Sequence, residues 1–386
     1  MLDKKSNKLK IGIDLINLPT LFSGGGRYAE QLINGLAEFD QKNEYILFLN
    51  KKVAKQFSFE NPRFQKVILN LPNISILPLN QIYFTFRSIF KKFRIELLHS
   101  PVSLSPLLLF ESIKRIVTVH DLAFKFFPEN FSKLGSLWAN FAQPICFENA
   151  SHIIAASENT KRDILKFYGI PEKKITVIYH YISKLPEVSN ENSAIVRARY
   201  NLPEKYILHV GIHYKRKNFT RFLKAFRILK EKKVSHKLVL VGSGEKMIRD
   251  VENVPILLEK MNIKKDEVIL TGFVPDADLP LIYKMADAFV FPSLYEGFGY
   301  PPLEAMACGT PVVVSGTSSL PEVVGDAGLF FDPLNPEDIA EKIFQVISSS
   351  ELANHLRKAG LERIKFFSKE KMIKKYLKLY QECAKK

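Results

Sequence analysis

The stretch AFVFPSLYEGFGYPPLEAMACGTPVVVS (288–315) indicates the fold class, because its pattern predicts a strand, a turn, a helix and a second strand. AFVFPS is a short apolar run, LEAMACG is typical of a short helix that ends at a glycine, and PVVVS begins another strand. This order predicts a parallel sheet covered by helices. The irregular turn EGFGYPP then lies at the carboxyl edge of the sheet, with Glu296 at its start and Glu304 eight residues later.

The same alternation of strands and helices extends along the chain on both sides of a polar linker, SKLPEVSNENS (183–193). We therefore predict two Rossmann-like, doubly wound α/β domains, residues 1–185 and 186–365, facing each other across a cleft. The predicted strands before the linker are LKIGIDLI (9–16), EYILFLN (44–50), ELLHS (96–100), RIVTVH (115–120), HIIAAS (152–157) and ITVIY (175–179). Those after it are YILHVG (206–211), KLVLVGSG (237–244), EVILTGF (267–273), AFVFPS (288–293) and PVVVS (311–315).

Composition limits the class of protein. The 386 residues are 46% hydrophobic, which fits two domains of ordinary size. The three cysteines stand far apart with no CxxC pair, so a reducing cytosol fits best. The first ten residues lack a following apolar signal segment, and no run is long enough to cross a bilayer, so any membrane contact is expected to be peripheral, on the inner face.

The net charge of +16 indicates a polyanionic partner: nucleic acid, an anionic membrane surface or phosphorylated substrates. A basic nucleic-acid-binding protein remains a remote alternative, since no recognised nucleic-acid-binding motif supports it. We expect no nucleic-acid partner.

Two stretches carry groups that suit a nucleotide sugar. In the EGFGYPP turn, glycines let the backbone approach a phosphate, while Glu304 and Glu296 are suited to hydroxyls of a ribose and a sugar. In VGIHYKRKNFTRFLKAF (210–226), Arg216 and Lys217 follow a strand and are placed to neutralise a diphosphate. The alternatives are an ordinary connection with solvated glutamates and a solvated basic loop.

Two further stretches in the N-terminal half are candidates. FSGGGRYAEQL (22–32) places glycines before a helix that we expect to begin near Arg27, and it suits either a phosphate-cradling loop or a flexible turn. TVHDLAFKFFPENF (118–131) ends a strand with His120, which Asp121 could orient; the alternative is a structural histidine.

These stretches resemble the signature of retaining glycosyltransferases of the GT-B fold, family GT4. The E-x7-E pattern is similar to that family together with TGFVPDADLPLIYKMADAFVFPS before it and SSLPEVVGDAGLFFDP after it. The resemblance implies transfer of a hexose from a nucleotide diphosphate sugar to a saccharide or lipid-linked saccharide, in cell-surface polysaccharide or glycolipid synthesis. The HD-x-x-F-x-x-F-P and GGGRY patterns look most like mannosyltransferases, so GDP-mannose is the first expected donor. UDP-sugar donors and a GT-B nucleotide-sugar epimerase are the alternatives.

The resemblance also implies roles for single residues. His120, Lys217 and Glu296 are the expected catalytic residues, and Arg27 and Asp121 are further candidates. Donor-binding residues are expected to be Gly25, Gly26, Arg216, Lys217, Gly297, Phe298, Gly299 and Glu304. One departure is that Ile212 follows Gly211 where many members have arginine, so Arg216 is the candidate for the second positive charge.

No cofactor is expected, because no DxD-like pair ends a strand and the cations at 215–217 can supply the charge of Mg²⁺. The segment QIYFTFRSIFKKFRI (81–95) suits either a basic helix on an anionic bilayer or, as we favour, a helix packed on the sheet. The resemblance implies that the amphipathic helix predicted over 366–386 packs on the N-terminal domain.

Overall fold

The computed structural model describes residues 8–18, 20, 24–57, 59–69, 87–103, 113–131, 133–182, 190–211, 214–242 and 254–385. The chain divides into two compact units. The first unit comprises Met1–Leu122, Lys133–His180 and Lys369–Lys386, and the second comprises Ala123–Ser132 and Tyr181–Ser368. The predicted domain boundary between residues 185 and 186 lies outside the described residues.

The first unit is built on a parallel sheet. Its described strands are β1 (Lys10–Leu15), β2 (Glu44–Leu49), β3 (Phe64–Ile68), β4 (Leu97–Ser100), β5 (Lys114–Val119), β6 (His152–Ala155) and β7 (Ile175–Val177). They pair in parallel in the order β3-β2-β1-β4-β5-β6-β7. Its described helices are α1 (Gly24–Phe39), α2 (Lys51–Gln56), α3 (residues 87–93), α5 (Lys133–Asn149), α6 (Glu158–Tyr168) and α15 (Lys369–Lys385).

The second unit repeats this architecture. Its described strands are β8 (Tyr206–Val210), β9 (Lys237–Val241), β10 (Val268–Gly272), β11 (Ala288–Phe291), β12 (Val312–Ser315) and β13 (Gly328–Phe331). Their order is β10-β9-β8-β11-β12-β13, again all parallel. The described helices are α4 (Ala123–Phe126), α7 (Asn190–Arg199), α8 (Phe219–Glu231), α9 (Val254–Lys260), α10 (Leu279–Lys284), α11 (Tyr300–Ala307), α12 (Leu320–Val324), α13 (Pro336–Ser348) and α14 (Ser350–Arg363).

In each sheet, successive strands are first added on one side of the first strand and then on the other. The change of side lies between β1 and β4 in the first unit and between β8 and β11 in the second. In an open parallel sheet, the loops that follow the strands at this switch point diverge and leave a crevice for a ligand. The strand order therefore assigns a candidate ligand crevice to the carboxyl ends of β8 and β11, where Arg216, Lys217 and Glu296 follow in the chain.

The predicted central strands all form, because a parallel strand buried on both faces gives a nearly continuous apolar run. Two strands were missed, β3 and β13, and both lie at the edge of a sheet. Gln65 and Lys66 of β3 are exposed. An edge strand needs fewer apolar residues, so the pattern of β3 is weaker in the sequence. In β13 the apolar residues are only three, Leu329–Phe331, a run too short to predict a strand.

Three predicted boundaries were wrong. The first helix begins at Gly24, so the glycines form its first turn and do not precede it. The last four residues of the predicted linker, 190–193, form the start of α7. This helix is partly exposed, so it tolerates polar residues. Residues 183–189 are outside the described part of the chain. The last helix begins at Lys369, because Ile364–Phe366 form a separate 3-10 turn.

Within the 81–95 segment, the described residues favour the packed-helix interpretation. Phe90 is 3% exposed, and its ring and that of Phe93 lie 5.8 and 6.4 Å from the ring of Phe48. The four cations Arg87, Lys91, Lys92 and Arg94 are exposed. Ile82 and Phe86 lie outside the described residues.

Helix α15 belongs to the first unit and packs closely on α1. A Cβ at Gly35 would come within 2.6 Å of Ile373, so only glycine allows this approach. The hydroxyl of the buried Tyr376 bonds to that of Tyr28, and the hydroxyl of Tyr380 lies 2.7 Å from His99 Nδ1. The described helices include none with the length and apolar content needed to span a bilayer.

Candidate active site

The candidate site of the second unit is formed where β8 and β11 end side by side. After β8, residues Lys215–Lys217 form one 3-10 turn, and after β11 the chain enters the turn that begins at Ser293. The Leu294 N–H donates to the Arg216 carbonyl oxygen at 2.8 Å, which joins the two loops. The strand order thus brings together two stretches about 80 residues apart in the sequence.

Glu296 is the centre of a buried ion cluster. Its Oε1 accepts hydrogen bonds from Lys217 Nζ at 2.5 Å, Arg216 Nη1 at 3.0 Å and Ser293 Oγ at 2.5 Å. Burial of Glu296 raises its pKa, but the charges of Lys217 and Arg216 and these hydrogen bonds outweigh burial and lower the pKa to about 2. Glu296 is therefore ionised at neutral pH and compensates one of the two cations.

Lys217 is buried, with an exposed fraction of 9%, and its Nζ lies 4.7 Å from the ring centroid of Phe291. An ammonium on an aromatic face is stabilised without losing its charge. Arg216 also donates to the Tyr295 carbonyl oxygen at 3.0 Å. Both cations are thus held in fixed positions at the carboxyl ends of the strands.

The segment after β12 holds the Glu296 turn in place, and sequence reasoning assigned no role to it. Ser319 Oγ lies 2.8 Å from the carbonyl oxygens of both Glu296 and Phe298, and its single hydrogen is shared between them. Ser318 Oγ accepts the Glu296 N–H at 2.9 Å. In the sequence, only the position of these serines could have indicated this role. They lie in the SSLPEVVGDAGLFFDP stretch and follow β12, the strand that pairs with β11.

Gly299 ends the turn and precedes α11. Its φ of +119° is a conformation that residues with a Cβ rarely adopt, and an added Cβ would lie 3.0 Å from Leu320. Gly297, Phe298 and Gly299 are all buried, and the Phe298 ring packs 5.7 Å from that of Phe367. The turn that carries the predicted phosphate-binding amides therefore has a defined conformation.

Glu304 lies on α11 and is half-buried. Its Oε2 accepts a hydrogen bond from the hydroxyl of Tyr283 at 2.9 Å. Tyr283 is itself buried on α10, and Thr310 Oγ1 donates to its carbonyl oxygen at 2.6 Å. Tyr283, which the sequence analysis did not single out, orients the Glu304 carboxylate.

In the first unit, the predicted residues Gly25 and His120 are close together. A Cβ at Gly25 would lie 4.0 Å from His120 Nε2. His120 follows β5, and its Nε2 lies 2.8 Å from the Pro101 carbonyl oxygen, just after β4. Gly26 is buried in the first turn of α1, where Arg27 is half-buried. Asp121 is half-buried beside His120, and its charge opposes the lowering of the His120 pKa that burial causes.

The segment Ala123–Ser132 groups with the second unit although it precedes α5 of the first. The ring of Phe126 lies 4.6 Å from that of Tyr295, the residue before Glu296, and the ring of Phe127 lies 6.5 Å from it. Phe126 and Phe131 remain 38% and 44% exposed. The FKFFPENF stretch is thereby placed beside the Glu296 turn.

Two Rossmann-type parallel-sheet units, with this strand order, are the architecture of GT-B glycosyltransferases. The sequence matches the model for glycosyl transferases group 1 over residues 192–363 and the model for glycosyltransferase family 4 over residues 22–183. The chain belongs to this family of glycosyltransferases.

Relatives and solved structures agree with this class. The chain is 32% identical over 272 residues to the O-antigen chain mannosyltransferase B of Escherichia coli, covering 69% of this chain and 70% of that protein. It is 30% identical over 229 residues to the O-antigen chain mannosyltransferase RfbU of Salmonella typhimurium, covering 59% and 58%. Its fold is similar to that of Anabaena HepE, solved in complex with UDP-glucose, with a TM-score of 0.77, 18% identity and coverage of 97% and 100%.

Proposed function

We propose that this glycosyltransferase transfers mannose from GDP-mannose to a hydroxyl group of a saccharide or lipid-linked saccharide, with retention of anomeric configuration and without a metal ion. The main observation in support of this proposal is the cluster of Arg216, Lys217 and Glu296 at the switch point of the second sheet. The relatives named above, both O-antigen chain mannosyltransferases, support mannose and polysaccharide synthesis.

The cations supply the chemistry that breaks the bond to the leaving group. When the bond between C1 of the sugar and the phosphate oxygen breaks, the nucleoside diphosphate gains negative charge. Lys217 and Arg216 are fixed before the substrate arrives, so little reorganisation is needed to stabilise this charge. We infer that they take the place of a divalent cation.

The turn after Glu296 supplies the remaining donor contacts. The amides near Gly297, Phe298 and Gly299 precede α11, and N–H groups at the start of a helix attract phosphate. Glu304 presents a carboxylate suited to two ribose hydroxyls, and Glu296 is suited to hydroxyls of the transferred sugar. In the first unit, the turn at Gly25 and Gly26, with Arg27, is assigned to the donor phosphates and the acceptor.

Retention fits an attack on the same face from which the leaving group departs. The acceptor oxygen forms its bond to C1 as the C1–phosphate bond breaks, and the acceptor proton passes to an oxygen of the leaving diphosphate. No carboxylate nucleophile is needed, and Glu296 is already engaged by both cations. His120 is assigned to the donor sugar, with Asp121 beside it.

A UDP-sugar is the second candidate donor, because HepE of similar fold was solved with UDP-glucose. The test is a thermal-shift comparison of GDP-mannose, UDP-glucose, UDP-galactose and UDP-N-acetylglucosamine. A ligand that binds only the folded protein raises the melting midpoint by mass action. We expect the largest rise in the melting midpoint with GDP-mannose. A larger rise with a UDP-sugar would mean that this UDP-sugar, and not GDP-mannose, is the donor.

Replacement of Glu304 tests the ribose contact. We expect Glu304→Ala to raise the KM for the donor by about 10- to 100-fold, since a hydrogen bond to a charged group contributes about 1.5–3 kcal/mol. The melting midpoint should change little, because Glu304 is only half-buried and the loss of one hydrogen bond, here from the Tyr283 hydroxyl, typically costs about 1 kcal/mol. Tyr283→Phe, which only removes the orienting hydroxyl, is the matched control and should raise KM by about threefold. An unchanged donor KM in Glu304→Ala would remove this role.

We also propose peripheral contact with an anionic membrane, made by the basic side chains of α3 and by Arg94, which directly follows the helix. Arg87, Lys91, Lys92 and Arg94 are exposed, while Phe90 is buried, so the contact is electrostatic and does not use this aromatic ring as an anchor. Such contact would place the enzyme beside a lipid-linked acceptor.

Liposome binding tests the membrane contact. Each basic residue near an anionic surface contributes about 1 kcal/mol, and the attraction is screened over about 10 Å at 0.1 M salt. We expect co-sedimentation with anionic liposomes at low salt, and its loss when these four residues become glutamine. The matched control changes the exposed Lys371, Lys374, Lys375 and Lys378 of α15 to glutamine, which removes the same charge elsewhere. Equal loss in both variants, or no binding by the wild type, would refute the α3 contact.

A further inference from the structure

Two histidines meet at the carboxyl edge of the first unit's sheet. His120 follows β5, and His180 follows β7 by three residues, two strands away in the same sheet. His120 Nδ1 lies 3.3 Å from His180 Nε2. His180 is 2% exposed, and neither the sequence patterns nor the proposed donor contacts give it a role.

The partners of His120 determine which ring nitrogen carries its proton. Nε2 lies 2.8 Å from the Pro101 carbonyl oxygen, which can only accept, so Nε2 carries the hydrogen. Burial lowers the pKa of His120, which favours the neutral ring. A neutral imidazole with hydrogen on Nε2 has its lone pair on Nδ1, and His180 Nε2–H is therefore the donor to it.

Tyr28 fixes both rings from a third side. Its ring centroid lies 4.7 Å from that of His120, edge to face, and 4.6 Å from that of His180. The hydroxyl of Tyr28 is held at the other end by Thr118 Oγ1 at 3.0 Å and by Tyr376. Thr160 Oγ1 donates to the His120 carbonyl oxygen at 3.2 Å. The backbone and the ring of His120 are thus both restrained.

We propose that His180 is a positioning residue for His120: its Nε2–H donates to Nδ1 and fixes the ring plane, in the Nε2–H tautomer that the Pro101 carbonyl oxygen selects. This inference deepens the proposed function and rests on it for the role of His120. A substrate group that meets Nδ1 must donate a hydrogen bond, and a hydroxyl of the donor sugar has that chemistry. The Pro101 carbonyl oxygen accepts the Nε2–H bond, so such a hydroxyl would replace His180 at Nδ1, and His180 therefore positions the ring in the free enzyme, before the donor binds.

The tautomer is measured directly by long-range ¹⁵N–¹H correlation NMR on protein with ¹⁵N-labelled histidine, without substrate. The chain has eight histidines, and a His120→Gln sample assigns the His120 signals. We expect a protonated Nε2 and an unprotonated Nδ1 at neutral pH in the wild type. His120 that is protonated on Nδ1, or on both nitrogens, would overturn the proposal.

Substitutions at His180 separate positioning from packing. Gln places an amide N–H near the position of imidazole Nε2, whereas Leu fills the space without a donor. We expect His180→Leu to broaden the ring signals of His120, because its plane is no longer held at Nδ1, and to lower kcat about tenfold, and His180→Gln to retain narrow signals and kcat within about threefold. Equal effects of Gln and Leu would overturn the proposal.

The matched control is His152→Leu, which removes another buried histidine of the same sheet, bonded to Thr176 Oγ1 at 2.8 Å. It should leave the His120 ring signals and kcat unchanged, and broadening would show that the loss of any buried histidine loosens the His120 ring, against the proposal. If His180→Leu does not fold, the tautomer of His120 in the wild type and the kcat of His180→Gln still test the proposal. A wild type without transferase activity would refute the proposed function, whereas the NMR result tests the positioning separately.

Discussion

Replacing Lys217 with alanine should lower kcat/KM for sugar transfer by about 10²- to 10³-fold, the loss found when one fixed group that stabilises developing negative charge is removed. The reason is geometric: Lys217 Nζ is held by Glu296 at 2.5 Å and lies over the Phe291 ring. Steady-state kinetics with the nucleotide sugar measures the loss. Arg216 remains in the variant, so residual turnover is expected.

The matched control for this prediction is Lys215→Ala, which removes an exposed lysine from the same 3-10 turn. It should retain kcat/KM within about twofold, since an exposed charge is screened by solvent. Equal losses in the two variants would mean that the general charge of the loop matters and not the fixed position of Lys217. Wild-type kcat/KM in Lys217→Ala would contradict the assignment.

Replacing Glu296 with glutamine should lower the free energy of unfolding of the second unit by about 3 kcal/mol at neutral pH. Removing one charge from a buried ion pair leaves its partners uncompensated, which typically costs about 3–5 kcal/mol. Here two partly buried cations, Arg216 and Lys217, lose their shared carboxylate. Urea unfolding monitored by circular dichroism gives the difference.

The same difference should depend on pH in a defined direction. The pKa of Glu296 is about 2 in the folded protein, below the usual value of about 4.3 for an unfolded chain. Its stabilisation is therefore complete above about pH 4.5 and is lost as the pH falls towards 2, where wild type and Glu296→Gln should converge. The control Glu341→Gln breaks an exposed pair with Lys232 and should change stability by less than about 1 kcal/mol. A constant difference from pH 7 to pH 2 would contradict the ion-cluster account.

The apolar runs in the sequence predicted the strands that are buried on both faces. They therefore also predicted the carboxyl ends of these strands, where the candidate site residues lie. They did not predict which side chains hold those residues. Ser318 and Ser319 reach the Glu296 turn only because β12 pairs in parallel with β11, and His180 reaches His120 only because β7 lies two strands from β5. Such contacts depend on strand order, which a local pattern does not contain.

The burial of Lys217 affects the stability of the second unit. A lysine in a loop at a sheet edge would contribute little to folding, but Lys217 is buried and paired with Glu296. Lys217→Ala is therefore expected to destabilise the second unit as well as slow transfer. For this reason, kinetics of the variant should be measured well below its melting midpoint.

In the proposed function, Lys217 and Arg216 bind the diphosphate of a nucleotide sugar in place of a metal. Isothermal titration of GDP-mannose and UDP-glucose into the wild type in excess EDTA tests it most directly, with Lys217→Ala as the comparison. We expect at least one of the two donors to bind to the wild type in EDTA, and the affinity to fall by about 100-fold in Lys217→Ala. Binding that requires added Mg²⁺ or Mn²⁺, or equal affinity in the variant, would contradict the claim.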